Sequence, residues 1–190
     1  MATLPTTYPG VQENAPHFIA NAKDIAAEMM NFSAEELAQL LKINDKLANQ
    51  NWLRYQHFLQ EGDTSHAALA FTGMAYKHLK ANTFNTKDIE FANKHLWITS
   101  FLYGLLRPLD TIKPHRLEGN VRLQNHDDMR LFDYWKPLLT QYFVDAITSD
   151  NGILAYLASE EMKSLFDWNE VAKKVKIFEP QFMVENARGR

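Results

Sequence analysis

Apolar residues recur through most of this chain at helical spacing. Pro16 can open a helix at its first turn, where its missing N–H costs nothing. Ile19, Ala22, Ala26 and Met29 then follow on one face. Ser33 and Glu36 have the spacing of a capping box ahead of Leu37, Leu40 and Leu41. After Lys42-Ile43 the chain turns, and Asn44 is placed to cap a third helix running to about Gln60, before Gly62. Ala48, Trp52, Tyr55 and Leu59 share one side of that helix. Lys46, Gln50, Arg54 and His57 share the opposite side, with Leu53 intruding. Ala67 to Phe71 is a short apolar run, either a strand or the start of a helix through Leu79. Thr86 is read as the cap of a helix carrying Ile89, Ala92 and Lys94.

The pattern changes between Leu96 and Leu123. Leu96 to Phe101 reads as a buried strand, and the chain breaks at Gly104. Arg107-Pro108 and Lys113-Pro114 follow. Each proline fixes its own φ and drives the residue before it towards extended geometry, which makes the segment a stiff ribbon. Arg107, Lys113, Arg116 and Arg122 lie on it with His115, against Asp110 and Glu118. A rigid cationic ribbon leaving a strand suits ligand contact. The competing expectation is that its cations pin the loop to the core through ion pairs.

Asn125 to Asp128 is a turn, and Met129 to Trp135 and Pro137 to Ile147 read as helix, with Leu138, Tyr142 and Ala146 on one face. Asn151-Gly152 is a turn, Ile153 to Ala158 a second buried strand, and Ser159 an N-cap ahead of Glu160 and Glu161. Val175 to Phe178 and Phe182 to Val184 are strand-like, parted by Pro180. The stretch from Val184 to Arg190 reads as a strand entering a turn with no return strand, the mark of a shortened chain.

Composition narrows these readings. With 190 residues, 46% of them apolar, one globular domain spanning 1–190 is expected. A net charge of -3 means that any nucleic-acid surface must come from local clustering. There is no cysteine, which excludes disulfides, thiolate metal sites, a cysteine nucleophile and thiol-based peroxide sensing by this chain. No basic-then-apolar leader and no membrane-length apolar run occur, so a soluble, cytoplasmic protein is expected.

Catalytic motifs are missing: the chain has no HExxH, GxSxG, Walker A or GxGxxG, and its seven histidines show no metal-ligand spacing. Asp127-Asp128 and Glu160-Glu161 are adjacent carboxylates whose side chains point apart, so capping or solvation suits them better than a hard cation. No cofactor and no metal site are expected. Ser159 could serve as a nucleophile only with a base that the sequence does not place. Tyr103 and His115 could stack on bases or exchange protons, although aromatic residues beside a strand are more often core.

The block SFLYGLLRPLDTIKPHRLE resembles the most recognisable motif of the YaaA peroxide-stress protein family. LLKINDKLA with RYQHF, LAFTGMAY and NGILAYLASEEMKS support the likeness. The resemblance implies an α+β fold, a mixed β-sheet surrounded by helices, with a helix–hairpin–helix-like element beside a positively charged cleft. It also implies a cytoplasmic bacterial protein that limits peroxide damage through free intracellular iron and binds DNA. Carried onto this chain, the hairpin spans Leu37 to Arg54, and the cleft motif comprises Tyr103, Gly104, Arg107, Pro108, Asp110, Arg116 and Glu118. His115 stands where the family has tyrosine, and Gly119-Asn120 follow Glu118 where the family has methionine then glycine. The family's opening strand and a downstream basic strand are missing, so the fold is expected to be truncated at both ends.

The functional expectation is a DNA-binding protein rather than an enzyme. It grips phosphates without sequence readout through Lys42, Lys46, Arg54, Arg107, Lys113 and Arg116. The alternative is an enzyme or binding protein for a small anionic ligand, a phosphate or carboxylate, in the same cleft. Arg107 and Arg116 would clamp the anion, with His115 or Asp110 exchanging protons.

Overall fold

The protein is described here from a computed structural model, at residue 1 and residues 6–181. Two compact units divide the chain, Met1–Leu131 and Phe132–Arg190.

The first unit opens with three helices, α1 (Ile19–Met29), α2 (Ala34–Leu41) and α3 (Asp45–Gln56). Their ends follow local chemistry. Ser33 Oγ accepts the Glu36 N–H at 3.2 Å and Glu36 Oε2 accepts the Ser33 N–H at 2.7 Å, so the capping box of α2 is complete. Asn44 Oδ1 accepts the Leu47 N–H at 3.0 Å and starts α3. Between them Lys42 adopts a left-handed conformation, φ 52°. Its N–H reaches the Gln39 carbonyl and the Ile43 N–H the Ala38 carbonyl, the paired bonds of a Schellman ending. Leu37, Leu41, Ala48 and Tyr55 bury the facing sides of the hairpin. Leu59, expected on the buried side of α3, is 49% exposed, because the helix ends at Gln56 and helical phase no longer governs it.

Next come β1 (Ser65–His66), α4 (Ala67–Ala70) and α5 (Met74–Leu79), so the apolar run from Ala67 divides at Phe71. A 3-10 turn (Ala81–Thr83) leads to α6 (Thr86–His95). Asn85, not Thr86, is its cap: Asn85 Oδ1 accepts the Lys87 and Asp88 N–H groups, and Asp88 returns a bond to the Asn85 N–H. Ala68, Ala81, Ile89 and Leu109 form a small core there.

Strands β2 (Ile98–Ser100) and β3 (Gly104–Leu106) pair antiparallel, with Ser100 opposite Gly104. The expected strand therefore turns back before Gly104. Gly104 has φ 69°, the left-handed residue that closes a three-residue hairpin loop. β4 (Thr111–Ile112) pairs antiparallel with β1, and β5 (Arg122–Leu123) with β6 (Met129–Arg130).

The second unit is built on α7 (Leu131–Asp150), whose first residue ends the first unit. Pro137 lies within α7, so the two expected helical runs are one helix, except that Met129–Arg130, expected as its start, is strand β6. The buried residues of α7 include the stripe Trp135, Leu139, Phe143 and Ile147, one position round from the expected one, and Leu138 is exposed. That regular burial outweighs the roughly 3 kcal/mol a proline costs in a helix. β7 (Ile153–Ala155) pairs parallel with β8 (Lys176–Phe178), with α8 (Glu160–Lys163) and α9 (Trp168–Ala172) between them in sequence. β7 is not the buried strand its composition suggested, since Ile153 is 51% exposed. Gly152 has φ 72°, as the Asn-Gly turn requires. Ser159 precedes α8 without a side-chain capping bond. The expected strand at Phe182 to Val184 and the chain end beyond it lie outside the described residues.

The architecture is α+β, as expected. Among the described residues the strands form four separate pairs, three antiparallel and one parallel. No helix among them is long and apolar enough to cross a membrane.

Candidate nucleic-acid interface

The proline-stiffened ribbon of the first unit is fastened at both ends to helices. At its start Arg107 closes α6: Nη1 donates to the Lys94 carbonyl at 2.9 Å, and the guanidinium carbon lies 3.2 Å from the centre of the Trp97 ring. A cation suits the negative end of a helix, and a guanidinium stacks readily on an aromatic face. The Leu109 N–H donates to Asn93 Oδ1 of α6 at 2.9 Å. Pro108 and Asp110 pass their carbonyls to the N–H groups of Ala68 and Ala67.

Asp110 turns inward and is 5% exposed. Its Oδ2 accepts the Arg107 N–H at 2.8 Å. Burial raises its pKa to about 6, against the lowering pull of that N–H and of the Arg107 charge.

Further along, the ribbon reaches the β2–β3 hairpin and the end of α3. The Tyr103 hydroxyl accepts the Lys113 N–H at 3.0 Å, and burial raises the hydroxyl's pKa. Lys113 Nζ donates to the carbonyls of Phe58 at 2.8 Å, of His57 and of Gln60, just past the end of α3. Burial, then nearby Lys23, lowers its pKa. Three carbonyls thus take the three donors of one ammonium.

His115 is buried against Tyr103 and Phe71, with ring centres 5.2 and 6.2 Å away. A carbonyl only accepts, so the 3.0 Å contact with the Lys113 oxygen puts the proton on Nδ1. Nε2 then accepts from the Ser100 hydroxyl at 3.1 Å. Ser100 Oγ in turn accepts the N–H groups of Leu102 and Tyr103. Burial lowers His115 to about 4, although the Lys113 carbonyl bond raises it. This ring is a neutral strut, and each polar atom of the Ser100–His115 pair has its partner.

Arg116 and Glu118 leave the strut at the surface, bridged at 2.9 Å. Beneath them α3 contributes Tyr55, from the expected apolar side, and Asn51, which periodicity did not single out. The Asn51 amide pairs with both the N–H and the carbonyl of Arg116, and the Tyr55 hydroxyl shares that carbonyl. Asn51 sits between Ala48 and Tyr55 on the apolar stripe, and a polar residue in that place is the signal that could have found it.

This clamp settles where the expected cations lie. Arg54, one residue before Tyr55, is half-buried, and burial lowers its pKa. Arg54 and Arg116 both lie close enough to the Met1 amino group to depress it, after burial itself. Arg54 also depresses His115. Arg54 neighbours Tyr55 on α3, whose hydroxyl holds the Arg116 carbonyl, so the two residues lie on adjoining segments. Lys46, in the first turn of α3, and Lys42, at the α2–α3 turn, are exposed. The structure gives Arg107 and Lys113 backbone carbonyls as partners instead.

These features define an α+β protein in which a stiff cationic ribbon, centred on Tyr103-Gly104-Leu105-Leu106-Arg107-Pro108-Leu109-Asp110, is strapped to a helical hairpin. The chain belongs to the peroxide stress protein YaaA family, whose model matches residues 2–190. It is 46% identical over 172 residues to a UPF0246 protein of Phocaeicola vulgatus, covering 90% of this chain and 68% of that protein. A UPF0246 protein of Bacteroides fragilis is 47% identical over 180 residues, covering 94% and 67%. One from Acaryochloris marina is 34% identical over 160 residues, covering 83% and 64%.

Proposed function

We propose that the chain acts in the peroxide-stress response as a DNA-binding protein, gripping phosphates without reading sequence where α3 meets the ribbon. Arg54 carries the reading. It is a half-buried guanidinium with no acidic partner among the described residues, and Arg116, bridged to Glu118, is held against the same helix by Asn51 and Tyr55. A partly desolvated cation lacking a counter-ion favours an incoming anion, and the guanidinium fork suits phosphate. Lys46 and Lys42 extend the charge along the hairpin. Asp45 stands in the first turn of α3, and Asn44 already takes the Leu47 N–H. Side chains rather than the helix end therefore hold the phosphates. Arg107 and Lys113 serve this reading by keeping the ribbon in place. Covering the duplex in the cytoplasm would limit the damage that free iron does to it under peroxide.

Fluorescence anisotropy with a labelled duplex of about 20 base pairs, titrated from about 50 to 200 mM salt, tests the reading. Affinity should fall linearly on a log–log plot and alike for unrelated sequences. Arg54→Gln should flatten the slope by about 1. Binding that ignores salt, or an Arg54→Gln protein that binds like wild type, overturns it. Stoichiometric competition by a small phosphate or carboxylate compound would instead assign the arginines to that ligand.

A further inference from the structure

The second unit holds a separate cleft of about 460 Å³. One wall is the α7 face carrying Lys136, Pro137, Gln141 and Val144, and the other carries Asp167 and Lys174. The walls are tied together at buried Thr140, whose Oγ1 donates to the Lys136 carbonyl at 2.6 Å and accepts the Asp167 N–H at 2.9 Å. The Phe143 and Phe166 rings, 4.8 Å apart, add an apolar tie between the same segments.

The charges of this cleft are not paired across it. Glu170, on its rim, is bridged to Lys173 at 2.6 Å. Asp167 Oδ1 accepts the Asn169 and Glu170 N–H groups at the start of α9, and its second oxygen has no partner among the described residues. Gln141 gives its Nε2 to Asp145 at 2.7 Å, which leaves its carbonyl oxygen as an acceptor. Lys136 and Lys174 have no side-chain bond or ion pair among the described residues. Two ammonium groups on opposite walls, two acceptors for hydroxyl groups, and Pro137 with Val144 for an apolar ring face form one recognition set.

We propose that this cleft binds a small phosphorylated, hydroxyl-bearing molecule, a sugar phosphate or mononucleotide. Lys136 and Lys174 hold its phosphate, and Asp167 and Gln141 hold its hydroxyl groups. The volume lies within the range of small-molecule sites, about 300–1,000 Å³. The lining residues all belong to the second unit, so the site is independent of the DNA reading, whose residues belong to the first.

Isothermal titration of the intact chain tests this, with ribose 5-phosphate, adenosine monophosphate, inorganic phosphate and ribose as probes. Ribose 5-phosphate should bind saturably and about tenfold more tightly than inorganic phosphate, since only it reaches the hydroxyl acceptors. Lys136→Gln and Lys174→Gln should each weaken it about tenfold, and together abolish it. Lys176→Gln and Arg54→Gln should leave it unchanged. Tighter binding of adenosine monophosphate assigns a nucleotide; equal or weaker binding assigns a sugar phosphate. No saturable binding of either ester, an unaffected double variant, or inorganic phosphate binding as tightly as ribose 5-phosphate overturns the proposal.

Discussion

The side-chain amide of Asn51 brackets the backbone of Arg116, accepting its N–H and donating to its carbonyl, each at 2.9 Å. The two residues are 65 apart in sequence, and the amide bonds that backbone as a neighbouring strand would. Through this contact a helix of the hairpin holds the ribbon at its arginine.

Asn51→Ala should strip two bonds from that backbone inside a buried site. The expected loss is about 2–4 kcal/mol, read as a lower thermal midpoint. Asn51→Asp keeps the volume but cannot donate to the carbonyl and should also destabilise. An Asn51→Asp protein as stable as wild type would show that the bracket contributes nothing.

Lys113 and Arg54 should separate a structural cation from a ligand-facing one. Lys113→Met leaves the carbonyls of His57, Phe58 and Gln60 without their shared donor. It should cost about 1–3 kcal/mol and speed hydrogen exchange around the end of α3. The salt dependence of DNA binding should stay as it was. Arg54→Gln should do the reverse, leaving the thermal midpoint within a degree or two and weakening DNA binding. Equal effects of both substitutions on the salt slope would contradict the division.

Asp110 and His115 should answer acid in opposite directions. The folded state raises Asp110 from 3.8 to about 6 and lowers His115 from 6.5 to about 4, burial being the main cause of both. Compared with the unfolded chain it therefore binds more protons at Asp110 and fewer at His115. As pH falls, Asp110 adds stability from about 6 down to 3.8, while His115 removes it from 6.5 down to about 4. In wild type the two trends largely cancel. Asp110→Asn should expose the His115 trend, with a stability deficit relative to wild type that grows on acidification, by about 2–3 kcal/mol in all. Thermal unfolding followed by circular dichroism across pH 7 to 4 reads this out; a deficit that stays constant would remove Asp110 from the account.

Lys42→Gly should stabilise the α2–α3 turn. Lys42 holds a left-handed backbone, φ 52° and ψ 48°, where a side chain is disfavoured and glycine is at ease. A gain of about 0.5–1 kcal/mol is expected, with a midpoint rise of a few degrees. A drop in the midpoint would mean that the lysine side chain itself supports the turn.

Much of the first unit could be read from short-range chemistry. Ser33 with Glu36, Asn44, and Asn151-Gly152 in the second unit act on backbone within a few residues, and each sits where its spacing implied. Elements whose form depends on distant surfaces were read less well. The run from Leu96 to Phe101 ends inside the turn of a hairpin, because Ser100 satisfies the N–H groups of Leu102 and Tyr103 and is itself held by His115. Ile153 to Ala155 has core composition but an open face.

By itself the sequence determined the family, the capped starts of α2 and α3, and a ribbon stiffened by Pro108 and Pro114 and rich in cations. Only the tertiary structure decided which of those cations remain available. Arg107 and Lys113 meet backbone carbonyls contributed by residue 94 and by residues 57, 58 and 60, while Arg54 meets no acid among the described residues. Formal charge belongs to a residue and is legible along the chain; its counter-charge arrives from far away in sequence and is set by packing.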